Sequence, residues 1–252
     1  MLLVIDIGNT RIKWGVFEGE NWVQQGACLH ADLEKSQFLT DAKICQQAVI
    51  GNVAGDAIKS QVVDCLYNLS IKAHFAESGE RACGVLNGYK MPKTLGIDRW
   101  AAIIAAYHLN KQTTLVVSAG TAITIDALEV QGKQAVFVGG SIMPGFKLMQ
   151  NALQSQTANL KLPIGTLQAL PTKTDDAITS GLFNAAVGAI VLATQTLSLR
   201  TLSAPAILLT GGDALQLQAG LKFYGISANI AENLVLQGLR LLSQNLLESE
   251  SA

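Results

Sequence analysis

The sequence predicts an α/β protein built from two similar halves, each a mixed sheet with crossover helices. Three observations lead there. The apolar run Met1 to Ile5 ends at Asp6 and a polar turn, Gly8-Asn9-Thr10, after which alternation through Ile12, Trp14 and Phe17 reads as a second strand. The same strand–turn–strand–turn–strand order starts again at residue 113 in TTLVVSAGTAITIDAL, which marks an internal duplication. Each meander is followed by apolar strands alternating with helical patterns, the arrangement that builds parallel pairs. The predicted halves are 1–112 and 113–252, and lobes that face each other would bring both polar turns to one cleft.

The elements follow in order. Strands are expected at 2–6, 11–17 and 22–29, with a turn from Gly19 to Asn21, then at 46–51. Asn52 and Gly55 open a loop before an amphipathic helix at 57–67 and a short strand at 71–75. Residues 77–96 are rich in Gly and polar groups, and Pro92 excludes a helix interior; a loop of this length is a functional candidate. A helix is expected at 97–109, apolar on most faces. The second meander has a strand at 115–117, a turn from Ser118 to Thr121, alternation through Ile123, Ile125 and Ala127, a turn at Gly132-Lys133, and a strand at 134–140. Pro144 and Gly145 start a helix to about 153, and 155–172, with Pro163, Gly165 and Pro171, read as loop. A long apolar helix spans 175–198, with Asp175 and Asp176 at its start and Thr174 suited to cap it. A strand at 206–210 runs into Gly211-Gly212-Asp213, and an amphipathic helix at 229–247 closes the chain.

Of the 252 residues 49% are hydrophobic and 15% charged, enough apolar material for one large core or two lobes. Eighteen basic against nineteen acidic residues give a net charge of −1, which offers no broad nucleic-acid surface. Met1 to Ile5 is too short to span a membrane, and no membrane partner is expected. Cys28, Cys45, Cys65 and Cys83 form no CxxC pair and are expected to be buried and reduced, in a cytoplasmic protein. His30, His74 and His108 lack metal-ligand spacing and read as structural or surface residues, and the three tryptophans read as packing groups.

Neither a P-loop nor a Gly-x-Gly-x-x-Gly fingerprint is present. Two separate turns, Gly8-Asn9-Thr10 and Gly120-Thr121, instead offer N–H groups and hydroxyls to the two ends of a polyphosphate. Gly211-Gly212 leaves room for close approach of a base or ribose. Asp6 is the magnesium candidate, because that ion takes one or two carboxylates and fills its remaining positions with water and phosphate oxygens. Lys13 would offset charge on the transferred group, and Asp126 is either a further cleft acid or a simple strand-end acid. Asp98 and Arg99 follow Gly96 at a helix start, where N–H groups favour an anion; Arg99 can fork onto a carboxylate and Asp98 can take a proton from an attacking hydroxyl. This set suits phosphoryl transfer, which depends on positioning and charge stabilisation. The competing structural reading has Asp98 capping its helix, Arg99 pairing with it, and the glycines serving turns.

Read together, DIGNT with Lys13, GIDRW at 96–100, GTAITID at 120–126, GGSIMPG at 139–145, Thr174-Asp175-Asp176-Ala177 with Gly181, and TGGDA at 210–214 resemble the type III pantothenate kinase family over essentially the whole chain. The resemblance implies the duplicated ribonuclease-H-like fold of actin-like ATPases, and a homodimer. It implies transfer of the ATP γ-phosphoryl group to pantothenate, giving 4′-phosphopantothenate at the entry to coenzyme A synthesis, with magnesium and a monovalent cation, potassium or ammonium. By the same resemblance Asp6, Ile7, Gly8, Asn9, Thr10, Arg11, Ile12 and Lys13 form the ATP phosphate loop, and Thr121 is the second ATP contact. Asp98 is the proton acceptor, and Gly96, Ile97, Asp98, Arg99 and Tyr89 bind pantothenate. Thr174 resembles a substrate threonine contributed around the dimer interface. One position departs: Ser118 stands where the family's DxGTA pattern has the aspartate that binds the monovalent cation, so weaker or absent potassium dependence is expected. Another small-alcohol or sugar kinase is opposed by the motifs around Asp98, and a non-catalytic accessory protein of the same fold by intact Asp6, Lys13, Asp98 and Arg99.

Overall fold

Strand β1 (Leu2–Ile7) lies in the middle of the first sheet of the computed structural model, which describes residues 1–156 and 165–249. β2 (Arg11–Glu18) pairs antiparallel with β1, and β3 (Asn21–Leu29) antiparallel with β2. A 3₁₀ turn at His30–Lys35 and the short helix α1 (Phe38–Ala42) lead to β4 (Gln47–Asn52), which runs parallel to β1 on its other side. α2 (Asp56–Asn68) then crosses over to β5 (Lys72–Phe75), parallel to β4. Apart from Asp6 and the terminal Gln47 and Asn52, β1 and β4 are apolar on both faces, as strands covered on both sides tend to be. On one face Leu3, Ile5, Ile7, Ile12, Trp14 and Ile50 pack with Phe38, Val62 and Leu66 from α1 and α2. The buried Trp14 indole N–H donates to Asp41 at 2.9 Å, so neither polar group is left unsatisfied.

The stretch expected as loop at 77–96 contains a small hairpin, β6 (Arg81–Ala82) and β7 (Val85–Asn87). Its two turn residues, Cys83 and Gly84, have φ of 48° and 82°, the left-handed pair that a two-residue hairpin needs. A 3₁₀ turn at Pro92–Thr94 precedes α3 (Ile97–Asn110), which is buried almost without interruption from Ile97 to Ala106. Burial on every side accounts for its lack of a polar face.

The second unit repeats the plan. β8 (Thr114–Ala119), β9 (Ala122–Gln131) and β10 (Gln134–Pro144) form an antiparallel meander. α4 (Phe146–Gln156) and α5 (Thr174–Thr201) follow, then β11 (Ala206–Thr210) parallel to β8, α6 (Ala214–Phe223), and β12 (Asn229–Ile230) parallel to β11. The order β10-β9-β8-β11-β12 matches β3-β2-β1-β4-β5 strand for strand, so the duplication in the sequence is a duplication of topology. Leu115, Val117, Ile123 and Ile125 pack here with Phe183, Ile190 and Leu217.

Several boundaries differ from expectation. β8 continues through Ser118 and Ala119, because Ser118 pairs with Thr124 on one side and Thr210 on the other; the turn is only Gly120 and Thr121. Thr174 is the first residue of α5 rather than its cap, which is Lys173 and makes no side-chain hydrogen bond. Asp176 instead accepts from the Thr166 N–H at 2.8 Å and its hydroxyl at 3.0 Å, which holds its carboxyl below the usual range. Of the loop expected at 155–172, residues 157–164 with Pro163 lie outside the described residues. Only Cys45 is fully buried; Cys28, Cys65 and Cys83 are half-buried, and desolvation raises all four thiols. Among the described residues α5 alone is long and apolar enough to cross a membrane; it lays Phe183, Ala186, Val187 and Ile190 into the second core and exposes Leu192 and Leu199.

The closing helix also starts later than predicted, since residues 229–230 form β12. This helix, α7 (Leu234–Ser249), packs on β1, β2 and β4, so it belongs with the first half and not with the predicted 113–252. The units are Met1–Leu109 with Asn233–Ala252, and Asn110–Glu232. An apolar stripe such as Leu234, Leu236 and Leu239 shows which face of a helix is buried but not which sheet it covers.

α7 meets α3 at Gly238, where a Cβ would lie 1.9 Å from the Ala101 carbonyl oxygen. An exposed helical glycine changed to alanine gains up to about 1 kcal/mol. Here the sign reverses: Gly238→Ala should lower the unfolding free energy in urea by about 1–3 kcal/mol, the usual cost of overpacking. A variant as stable as the parent would contradict this close approach.

Candidate active site

The pairing of β1 with β2 sets Asp6 opposite Lys13, and Ile7 opposite Ile12. The hairpin tip closes when the Gly8 N–H donates to the Arg11 carbonyl at 3.0 Å. Ile7 and Ile12 are buried anchors, so what they can offer a ligand is backbone; Asn9, Thr10 and Arg11 are exposed. Asp6 and Lys13 share the sheet face of Val4, Val49 and Gly51, opposite the face packed by α1 and α2. The space left by the missing side chain of Gly51 is occupied by Leu239 of α7 and Ile97 of α3. That packing brings the start of α3, with Asp98, to the end of β1.

Asp6 is densely surrounded, and its carboxyl is pushed up to about 7, first by burial and then by the charge of Asp98; Lys13 pulls in the other direction without prevailing. Asp98 is half-buried in the first turn of α3, and its Oδ1 accepts from the Arg99 N–H at 2.8 Å. A Cβ on Gly96 would stand 2.6 Å from Asp98 Oδ1, so a side chain there would displace that carboxylate. Arg99 is buried; its guanidinium donates to the Tyr89 hydroxyl at 2.8 Å and lies over the Tyr89 ring, 5.7 Å from its centroid. Sequence reasoning passed over Asn87. Its Nδ2 donates to the Gly79 carbonyl at 3.0 Å and the Pro92 carbonyl at 3.2 Å, while its Oδ1 accepts from the Tyr89 N–H at 3.1 Å. The Asn87-Gly88 dipeptide, an Asx-turn signature, was the available signal.

The first unit therefore brings Asp6, Lys13 and Asp98 together, with Arg99 and Tyr89 joined next to Asp98. Among the described residues there is no cluster of three or more His, Cys, Asp or Glu side chains that would cage a metal. Asp6 under the field of Asp98 suits magnesium, which needs few protein ligands when phosphate accompanies it.

In the second unit Thr121 is exposed in the β8–β9 turn. Gly145 braces that turn: its N–H donates to the Thr121 carbonyl at 2.9 Å, and a Cβ on it would stand 2.0 Å from the Gly120 oxygen. Gly211 (φ 99°) is needed for another close approach, since a Cβ would lie 2.2 Å from the Ala119 oxygen; open space surrounds Gly212. Asp126 is buried within β9 and is not a strand-end acid. Ser118 lies in a row with Thr124 and Thr210, and the buried Thr124 hydroxyl has no hydrogen-bond partner. Thr174 is exposed at the start of α5.

The chain has the duplicated fold seen in actin-like ATPases and sugar kinases. A 2-dehydro-3-deoxygalactonokinase-like structure from Sinorhizobium meliloti superposes with a TM-score of 0.52 at 13% identity, covering 97% of this chain and 99% of that one. A Campylobacter jejuni structure described as a Baf family transcriptional activator gives 0.62 at 24% identity, covering 99% and 100%. At these identities the likeness is one of fold. Residues 2–195 match the family model for type III pantothenate kinase, and a type III pantothenate kinase of Aromatoleum aromaticum is 40% identical over 245 residues, covering 97% of this chain and 98% of that one. The chain belongs to the type III pantothenate kinase family.

Asp6 titrates higher in the folded protein than its ordinary 3.8. The stability it contributes is complete below that value and is lost as pH rises through about 7. In metal-free protein, Asp6→Asn should flatten the fall of unfolding free energy with rising pH over this range by up to about 1.4 kcal/mol per pH unit. Urea titrations at several pH values check this, and an unchanged slope would contradict the strained carboxylate.

Proposed function

We propose that this chain transfers the γ-phosphoryl group of ATP to pantothenate, forming 4′-phosphopantothenate at the start of coenzyme A biosynthesis, with Asp98 as the proton acceptor. The observation that carries the reading is the convergence of Asp6, Lys13 and Asp98 in one unit. As the pantothenate hydroxyl attacks phosphorus, its O–H bond breaks and the proton passes to Asp98. The new O–P bond forms as the bond to the ADP oxygen breaks, and the charge leaves with ADP. The segment Asp6 to Lys13 binds the phosphates, Lys13 offsets their charge, and Thr121 is a second ATP contact. Arg99, supported by Tyr89, holds the pantothenate carboxylate, with Gly96 and Ile97 shaping the same stretch and Thr174 a further substrate contact. Asp6 is the residue that would hold magnesium arriving with ATP, and the ion would supply positive charge beside the phosphate oxygens.

The monovalent-cation position does not fit the family pattern. Ser118 and its strand neighbours Thr124 and Thr210 offer only neutral oxygens, so we assign no step to potassium or ammonium. The chain acts as a cytoplasmic homodimer in this reading, supported by the apolar side chains that α5 leaves exposed, Leu192 at 65% and Leu199 at 80%.

Asp98→Asn should lower kcat by roughly 10²–10⁴-fold, with ATP affinity within about twofold, in a coupled ADP-release assay run with and without pantothenate. Full activity in that variant would remove Asp98 from the mechanism. At fixed ionic strength, replacing sodium by potassium should change the rate of the parent by less than about twofold, because a hydroxyl supplies no charge for the ion to pair with. Tight saturable activation would reject this.

A further inference from the structure

We infer that His30 is a positioning residue for the phosphate turn, aiming the Asn9 amide toward the nucleotide; this rests on the assignment of Asp6 to Lys13 as the ATP-binding segment. His30 Nε2 lies 2.8 Å from the Gly8 carbonyl oxygen. A carbonyl only accepts, so the bond requires a proton on Nε2. The peptide joining Gly8 to Asn9 is trans, as are all those described. In a planar trans peptide the C=O of one residue and the N–H of the next point in opposite directions. A donor fixed on the Gly8 carbonyl therefore directs the Asn9 N–H to the other side of the chain.

The turn's own side chains do not anchor this peptide in the core. Gly8 has no side chain, and Asn9, Thr10 and Arg11 are exposed, so core packing does not hold the tip. The Gly8 N–H is already committed to the Arg11 carbonyl, and His30 ties the other end of the same residue. The strand register delivers the imidazole. Arg11 pairs with Leu29 in the β2–β3 ladder, and the next residue, His30, leaves the sheet half-buried beside the tip. Backbone N–H groups bind phosphate well only when they are held in the binding direction beforehand.

The test uses the full-length protein with three variants. His30→Leu removes the donor, and His30→Gln restores an N–H at similar reach. Lys13→Ala reports on the ATP segment independently of His30. We expect His30→Leu to raise KM for ATP about fivefold, the equivalent of one ordinary hydrogen bond, with KM for pantothenate and the melting temperature nearly unchanged. His30→Gln should return KM for ATP to within about twofold of the parent. If Lys13→Ala weakens ATP binding and His30→Leu does not, the inference fails while the ATP segment stands. If neither variant affects ATP, both are wrong. If His30→Leu raises both KM values and lowers the melting temperature, and His30→Gln does no better, His30 is only structural and the inference is overturned. Should His30→Leu fail to fold, His30→Asn replaces it: its amide is too short to reach Gly8, so KM for ATP should rise relative to His30→Gln, and equal values would overturn the inference.

Discussion

Asp6 faces Lys13 because β1 and β2 pair with Leu2 against Phe17 and Ile7 against Ile12. That register is imposed by burial. Leu3, Ile5 and Ile7 on β1 and Ile12, Trp14 and Val16 on β2 fill the core on one side of the sheet, and a slip by one residue would turn all of them outward. The polar pair on the opposite face is carried into place by the apolar set behind it. Gly51, next to Asp6 on β4, then leaves the gap into which Ile97 packs, and the first turn of α3 follows with Asp98.

The electrostatics that result are unbalanced in the isolated chain. Burial and Asp98 both oppose charge on Asp6, and Lys13 only partly offsets them. A site left short of positive charge favours a divalent cation that arrives with its own phosphate oxygens. The corresponding place in the second unit is different in kind. Ser118, Thr124 and Thr210 form a neutral hydroxyl row, with no carboxylate in the row to be compensated. The two halves share a topology but not an electrostatic character.

Much of the fold was legible because it is local. Alternation gave both meanders, and the repeat of a strand–turn–strand pattern anticipated the matching strand orders of the two sheets. The candidate site residues were picked out for a similar reason: Asp6, Lys13, Asp98 and Arg99 lie in short segments whose residue types suit phosphate, a metal and a carboxylate. What escaped was non-local. The α7 stripe did not disclose that it returns to the first sheet, and Ser118 looked like a turn residue because its strand partner Thr210 lies far along the chain. His30 read as a structural or surface residue because its partner in the Gly8–Asn9 turn, the Gly8 carbonyl, is 22 positions away.

By itself, the sequence determined the family, the duplicated α/β plan and the chemical types gathered at the site, since these follow from residue identity and short-range periodicity. Tertiary structure alone decided which unit owns the last helix, that the Asp6 carboxyl is pushed up, that Arg99 meets Tyr89, and that His30 reaches the Gly8 carbonyl. The physical reason is that desolvation, Coulomb coupling and hydrogen bonding depend on distance in space, which chain position does not encode.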